Sequence, residues 1–246
     1  WKGGPRILLD ASSGNSLLRH GAQLGMLASS FTQVLLSHHH SDHMGGLPHL
    51  QGQQTLLDPE GAPLELHCSE ESATGVMRLF QATSITHSVT QDGVASAEGR
   101  QLLTLHPVPT GPWLDLGLGV RASAFPVDHI SGAVGWRIER GGLAVVFSGD
   151  TRFSPSLVEA AQGARVLIHE ALSIDAEQES TRQRGHSTAG EAARSAELAG
   201  ASELIMTHID TPFHSQNRPL INDARQHFSG PIAVAADLYQ VTIGLG

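Results

Sequence analysis

The chain has one cysteine, Cys68, so no disulfide can close within it and no cysteine-built zinc site is available. A lone thiol is compatible with a reducing compartment, and a cytoplasmic location is the expectation. Lysine is almost missing. Lys2 is the only one, and lysine plus arginine total 15 against 24 acids, for a net charge of −9. That balance argues against broad, sequence-blind nucleic-acid binding and leaves room only for a local basic face. No apolar run approaches the ~18 residues of a membrane span. No signal-peptide pattern opens the chain. The chain starts at Trp1 rather than Met, which leaves room for residues before it. What is present is enough to fold: 246 residues, 40% of them hydrophobic, support a sizeable core in one large or two small domains.

The most informative stretch is Leu36-Ser37-His38-His39-His40-Ser41-Asp42-His43-Met44-Gly45-Gly46-Leu47-Pro48. It follows Val34-Leu35-Leu36, an apolar run that reads as a buried strand. Residues two apart on extended chain point the same way, so His38 and His40 can face one metal ion. Asp42 and His43 follow where the chain turns, and can face a second ion nearby. Imidazole and carboxylate donors suit zinc, and also iron or manganese, better than magnesium or calcium. A tag-like or surface histidine tract would not carry an Asp at this spacing, follow a buried strand and precede Gly-Gly-Leu-Pro.

The pattern His38-x-His40-x-Asp42-His43 resembles the signature of the metallo-β-lactamase superfamily, and the likeness extends along nearly the whole chain. Arg6-Ile7-Leu8-Leu9-Asp10 reads as a strand ending in an acid. In the family such an Asp lies beside the metal site, so Asp10 would orient ligands rather than bind metal; an ordinary turn Asp is the other reading. The family places one or two strands before this one, and here they are absent or trimmed. Asn15–Ala28 is a helix candidate, and a short helix after Gly46 is followed by a polar loop over Gln51–Pro63. Leu64–His67 reads as a strand and Glu70–Ala82 as a helix with apolar Val76, Leu79 and Phe80 on one face. His67 and His87 receive no role.

Strands are expected over Gln101–Leu105 and Gly119–Phe125. The second leads into Asp128-His129 and then an aromatic strand, Val134-Gly135-Trp136, which resembles the segment of ribonuclease Z and its relatives that supplies a ligand histidine. His129 is therefore preferred over His106, which also ends a strand but lacks the Gly-aromatic continuation. Leu143–Phe147 is a buried strand ending in Ser148-Gly149-Asp150, where Asp150 resembles the family's bridging aspartate. Arg165–Ile168 runs into His169-Glu170-Ala171. A polar loop, Ser173–Gly185, then precedes His186-Ser187-Thr188 and a helix over Ala189–Leu198 capped by Ser187 or Thr188. These two segments look like ribonuclease Z rather than the antibiotic-destroying branch, although Leu172 stands where the family has Thr. Glu203–Ile209 is the last ligand-bearing strand, with His208 near its end. A helix over Asn217–Phe228 and a strand over Pro231–Val234 follow. Ala236-Asp237 resembles a terminal turn of the family.

The resemblance implies one domain over residues 1–246, an α/β fold of two sheets with helices outside, the αβ/βα sandwich. It implies two divalent ions, zinc first, with manganese and iron also suited. His38, His40 and His129 would hold one ion and Asp42, His43 and His208 the other, with Asp150 bridging. A hydroxide between the ions would be the nucleophile, Asp42 would take its proton later in the cycle, and His186 held by Glu170 would be the leaving-group acid. For His186, a structural hydrogen bond near the helix start is the alternative. The reaction implied is phosphodiester hydrolysis, on RNA or a smaller phosphodiester. Two features weigh against tRNA. The chain has no long Gly/Pro-rich basic arm, and the interval from His129 to Asp150 lacks the family's Pro-x-Lys-x-Arg-Asn-like loop. Another ester hydrolase (arylsulfatase, lactonase or β-lactamase-like) would use the same ligands, whereas a non-catalytic binding module would have lost some. No membrane partner is expected, and a homodimer is expected by resemblance.

Overall fold

The structure is a computed structural model that describes residues 5–83 and 88–244; His87 lies outside them. The chain divides into two compact units, Trp1–Pro109 with Leu116–Leu118, and Thr110–Asp115 with Gly119–Gly246.

The first unit carries a six-stranded sheet in the order β1-β2-β3-β6-β5-β4. Its strands are β1 (Ile7–Leu9), β2 (Gln33–Leu35), β3 (Leu64–Cys68), β4 (Ser88–Thr90), β5 (Gly93–Ala95) and β6 (Gln101–Pro107). The β1, β2, β3 and β6 strands are parallel, and β5 and β4 close the far edge antiparallel. Parallel neighbours need crossovers, and helices supply them: α1 (Ser16–Gln23), α2 (Ser41–Met44), α3 (Leu47–Leu57) and α4 (Glu70–Thr83). On β3 the alternation is strict. Leu64, Leu66 and Cys68 are buried, with Val76 and Phe80 of α4 in the same cluster, while Glu65 and His67 take the other face. Burial in that core pushes the Cys68 thiol up to about 12, with Glu70 adding to the shift, so the thiol stays protonated.

The second unit carries a seven-stranded sheet in the order β13-β12-β11-β10-β9-β8-β7. The strands are β7 (Trp113–Asp115), β8 (Arg121–Pro126), β9 (Val134–Arg140), β10 (Leu143–Phe147), β11 (Val166–Glu170), β12 (Leu204–Thr207) and β13 (Ile232–Val234). The last four are mutually parallel, while β7, β8 and β9 form an antiparallel meander joined to β10. The helices are α5 (Pro155–Ala160), α6 (Gln178–Gln183), α7 (Ala189–Leu198) and α8 (Arg218–Arg225). Small alanines of α7 let it lie close on Leu167, Leu204 and Met206. A capping box fixes where α7 starts: Thr188 Oγ1 accepts from Glu191 N while Glu191 Oε2 accepts from Thr188 N.

The two-sheet α/β class is the one expected. Several element bounds differ from expectation. The helix from Asn15 stops at Gln23, because Gly25 takes a left-handed φ of +68°. The Gln51–Pro63 segment is helical to Leu57, because its polar side chains are used internally: Gln51 is buried and Gln54 Nε2 donates to the carbonyls of Ala28 and Phe31. Within the polar loop before His186, α6 forms with Gln178 and Arg182 donating to Glu191. The helix expected from Asn217 is α8, starting one residue later and ending at Arg225.

Candidate metal centre

In the first unit the candidate ligands gather just beyond the carboxyl end of β2, where open α/β sheets present ligands. His38 is fully buried, and its Nε2 lies 2.9 Å from Nδ1 of His40, so the two rings converge on one point. The ring of His43, on α2, lies tilted against that of His38 with centroids 4.0 Å apart. Its Nδ1 donates to Asp10 Oδ2 at 2.7 Å, and Asp42 Oδ2 stands 3.4 Å from its Nε2. A carboxylate only accepts, so Asp10 fixes the hydrogen on Nδ1 and presents Nε2 of a neutral ring as the donor a metal needs. Asp10 is itself held by the Ser37 backbone N–H at 2.6 Å and the Ser37 hydroxyl at 2.8 Å, in a left-handed conformation with φ of +59°. This strained backbone at a non-glycine residue marks a position fixed by its surroundings. Gly46 lets the chain return close by, since a Cβ there would sit 2.0 Å from the Ala11 carbonyl oxygen.

The other candidates belong to the second unit, and its topology explains why they meet. Because β10, β11 and β12 are parallel, Asp150, Glu170 and His208 come off the same edge of one sheet. The β8 strand is antiparallel to β9, which is antiparallel to β10, so His129 leaves at that edge too. Asp150, His186 and His208 offer ligand atoms all within 4.8 Å of one another. Asp150 Oδ2 is 3.4 Å from His208 Nε2 and 3.9 Å from both His129 Nε2 and His186 Nδ1. His208 ends β12 in a left-handed conformation, φ +54°, which turns its ring toward Asp150. His129 Nδ1 lies 2.9 Å from the Gly185 carbonyl, which can only accept; the ring hydrogen is therefore on Nδ1, and Nε2 faces Asp150.

Glu170 is buried behind this group. Its Oε1 accepts from Thr151 N at 2.8 Å and lies 2.9 Å from His186 Nδ1. Burial, and then the charge of Asp150, push its carboxyl well above the ordinary carboxylate range, opposed by the Thr151 hydrogen bond. Its neighbour His169 is fully buried and has no place in the cluster. His169 Nδ1 donates to the Glu170 carbonyl at 2.6 Å, and burial brings the ring down to about 4. His106, the competitor of His129, sits in the first unit, paired with Glu65 and stacked on His67 at 4.8 Å. His67 Nε2 lies 2.8 Å from Gln33 Oε1. His186 offers a ligand atom beside those of Asp150 and His208 and also lies against Glu170.

Residues 5–209 match the Beta-lactamase superfamily domain. The chain belongs to that superfamily. Within the superfamily it falls in the ribonuclease Z-like branch, and with that branch it is a metal-dependent hydrolase. It is 31% identical to the ribonuclease Z of Mycobacterium bovis over 270 aligned positions, covering 98% of this chain and 92% of that protein. A ribonuclease Z of Myxococcus xanthus is 43% identical over 106 residues, a stretch spanning 43% of this chain and only 34% of that relative. Among solved structures, the metallo-beta-lactamase fold protein YhfI of Bacillus subtilis has a TM-score of 0.74 at 22% identity, over 94% of this chain and 84% of that one. The short form of human tRNase Z gives 0.71 at 22% identity, over 97% and 88%. At that identity these two speak for the fold.

The donor sets suit the divalent ions such a hydrolase uses. Each unit offers imidazole nitrogens beside a carboxylate, and His43 and His129 each have Nδ1 committed to a fixed acceptor. That is the arrangement in which a neutral imidazole binds zinc, manganese or iron through Nε2.

Proposed function

We propose that this superfamily member is a binuclear phosphodiesterase of the ribonuclease Z type, acting on RNA or a smaller phosphodiester. The observation that carries the reading is the pairing of buried Glu170 with the partly exposed His186 beside Asp150 and His208. We take the two units as halves of one catalytic domain over residues 1–246, with His38, His40 and His129 on one ion, Asp42, His43 and His208 on the other, and Asp150 shared. The donor chemistry and the order of these seven residues along the chain support that assignment. When bound, the two ions lower the pKa of water and neutralise charge on the phosphoryl group.

The chain's own groups then divide the work. Asp10 and the Gly185 carbonyl fix the hydrogens of two imidazoles on Nδ1 and leave Nε2 aimed at the site. Asp42, the exposed carboxylate of the set, would accept the nucleophile's proton after attack. His186 supplies the proton the departing alkoxide needs. Glu170 sets its readiness: a buried carboxylate strongly prefers to share a proton, so the pair holds one between Oε1 and Nδ1, and the ring's Nε2–H is the group offered to the leaving oxygen. An activated aryl leaving group has no need of this acid and an alkoxide does, which favours a phosphodiester of a sugar over an aryl sulfate. A cytoplasmic location and a homodimer belong to the same proposal; no helix among the described residues is long and apolar enough to cross a membrane.

The test is a hydrolysis panel on the purified protein: bis-p-nitrophenyl phosphate, p-nitrophenyl sulfate, a lactone, a β-lactam and a pre-tRNA. Phosphodiester turnover above sulfate turnover is expected. The reverse ranking moves the protein to the sulfatase side of the superfamily.

A further inference from the structure

The second unit contains a residue that touches none of the candidate ligands with its charge yet ties together the loops that carry them. Arg152 lies two residues past Asp150. Its backbone N–H donates to the Asp128 carbonyl at 2.9 Å, and its Nη1 donates to Asp128 Oδ1 at 3.1 Å, one residue before His129. Its Nε donates to the Arg182 carbonyl at 2.6 Å. That same carbonyl accepts from Gly185 N at 3.0 Å, so the guanidinium holds the turn that delivers both Gly185 and His186. The turn in turn holds His129, through the Gly185 carbonyl on His129 Nδ1. Gly185 has φ of +91°, and a Cβ on it would stand 2.7 Å from His129 Nδ1, so the loops meet with no room for a side chain.

We infer that Arg152 is a positioning residue that sets the Asp150, His129 and His186 loops in register through the His129–Gly185 hydrogen bond. The inference rests on the proposed roles of His129 as ligand and His186 as acid. The requirement is geometric. One group must donate to two acceptors on different loops in divergent fixed directions, which the planar guanidinium fork does and a single ammonium does not. Loops are the parts of a fold that open most easily. Small misplacements of reacting groups cost of order 100-fold in rate, so a dedicated brace here has a purpose beyond stability. Arg182 takes part through its backbone only; its own side chain is engaged by Glu191.

The experiment compares wild type with Arg152→Ala and Arg152→Lys, using histidine-ring NMR of the metal-free protein and zinc titration of the same samples. In wild type the His129 Nδ1–H should be a slowly exchanging signal. In Arg152→Ala it should be lost to exchange, Arg152→Lys should recover it only in part, and ethylguanidine added to Arg152→Ala should restore it. The zinc equivalent that His129 would hold should weaken by about 10–100-fold, as for loss of other groups that orient ligands, and the other, which shares only Asp150 with it, by less. If the signal and both zinc affinities stay within about twofold of wild type, the inference is wrong. If both zinc equivalents weaken alike, with the signal intact, Arg152 has only a general structural role and the inference is equally wrong. If wild type binds no zinc, the metal proposal fails by itself, and the ring signal alone decides the positioning role. Should Arg152→Ala not fold, Arg152→Lys with the same two readings decides it.

Discussion

Glu170 Oε1 lies 2.9 Å from His186 Nδ1 while also accepting from the Thr151 backbone N–H, the residue next to Asp150. One buried carboxylate thus links the candidate acid to the turn that carries the candidate bridging aspartate. Removing the imidazole should matter only where the leaving group needs a proton. His186→Ala is expected to cost about 10²–10⁴-fold on a nucleotide phosphodiester, the usual worth of general acid help, and far less on bis-p-nitrophenyl phosphate. Glu170→Gln should follow the same pattern more mildly. Steady-state kinetics on both substrates checks this; equal losses on the two would make His186 a structural residue.

Asp150→Ala should abolish turnover and leave folding nearly intact. Asp150 is buried but sits in the turn after β10, outside the apolar cluster of its unit, so its loss opens no core cavity. Thermal unfolding and activity measured on one preparation separate the two effects. A variant with near-normal turnover would remove the centre of the metal assignment.

Asp10→Asn tests the orienting role in the first unit. The amide can still accept from Ser37, but it no longer requires the His43 hydrogen to stay on Nδ1. Metal affinity should fall about 10–100-fold with little change in unfolding temperature. Unchanged affinity by isothermal titration would leave Asp10 as an ordinary strand-end acid.

Folding stability should decline between about pH 6.5 and 4, partly through His169. An unfolded histidine titrates near ~6.5, whereas burial holds this one at about 4. In that window the unfolded chain binds a proton that the folded chain refuses, so acid favours unfolding. At ~1.36 kcal/mol per pKa unit, the limiting loss is on the order of 3 kcal/mol. His67, also near 4 through burial and then His106 but less deeply buried, adds a smaller share. Urea melts across pH should show the wild-type advantage over His169→Gln shrinking as pH falls from 7 to 4.5. Parallel curves would contradict it.

The legible part of this molecule was the part written in local pattern. His38, His40, Asp42 and His43 lie within six residues after an apolar run, and the strands ending near Asp150, Glu170 and His208 are continuous apolar segments of the kind parallel sheets bury. What escaped depends on partners far away in sequence. The α3 helix runs on through Gln51 and Gln54 because Gln51 is buried and the Gln54 amide reaches carbonyls at Ala28 and Phe31. The α6 helix forms in a stretch with no apolar period because Glu191 gathers Gln178 and Arg182. Arg152 gave no signal at all, since its meaning lies in two carbonyls and a carboxylate of loops 24 and 30 residues away.

The central claim is tested most directly by removing metal and returning it. Protein stripped with a chelator should hydrolyse bis-p-nitrophenyl phosphate no faster than buffer. Zinc or manganese should restore activity, with restoration saturating at two equivalents per chain by elemental analysis. Full phosphodiesterase activity in the stripped protein, or no activity at any metal load, would contradict the account.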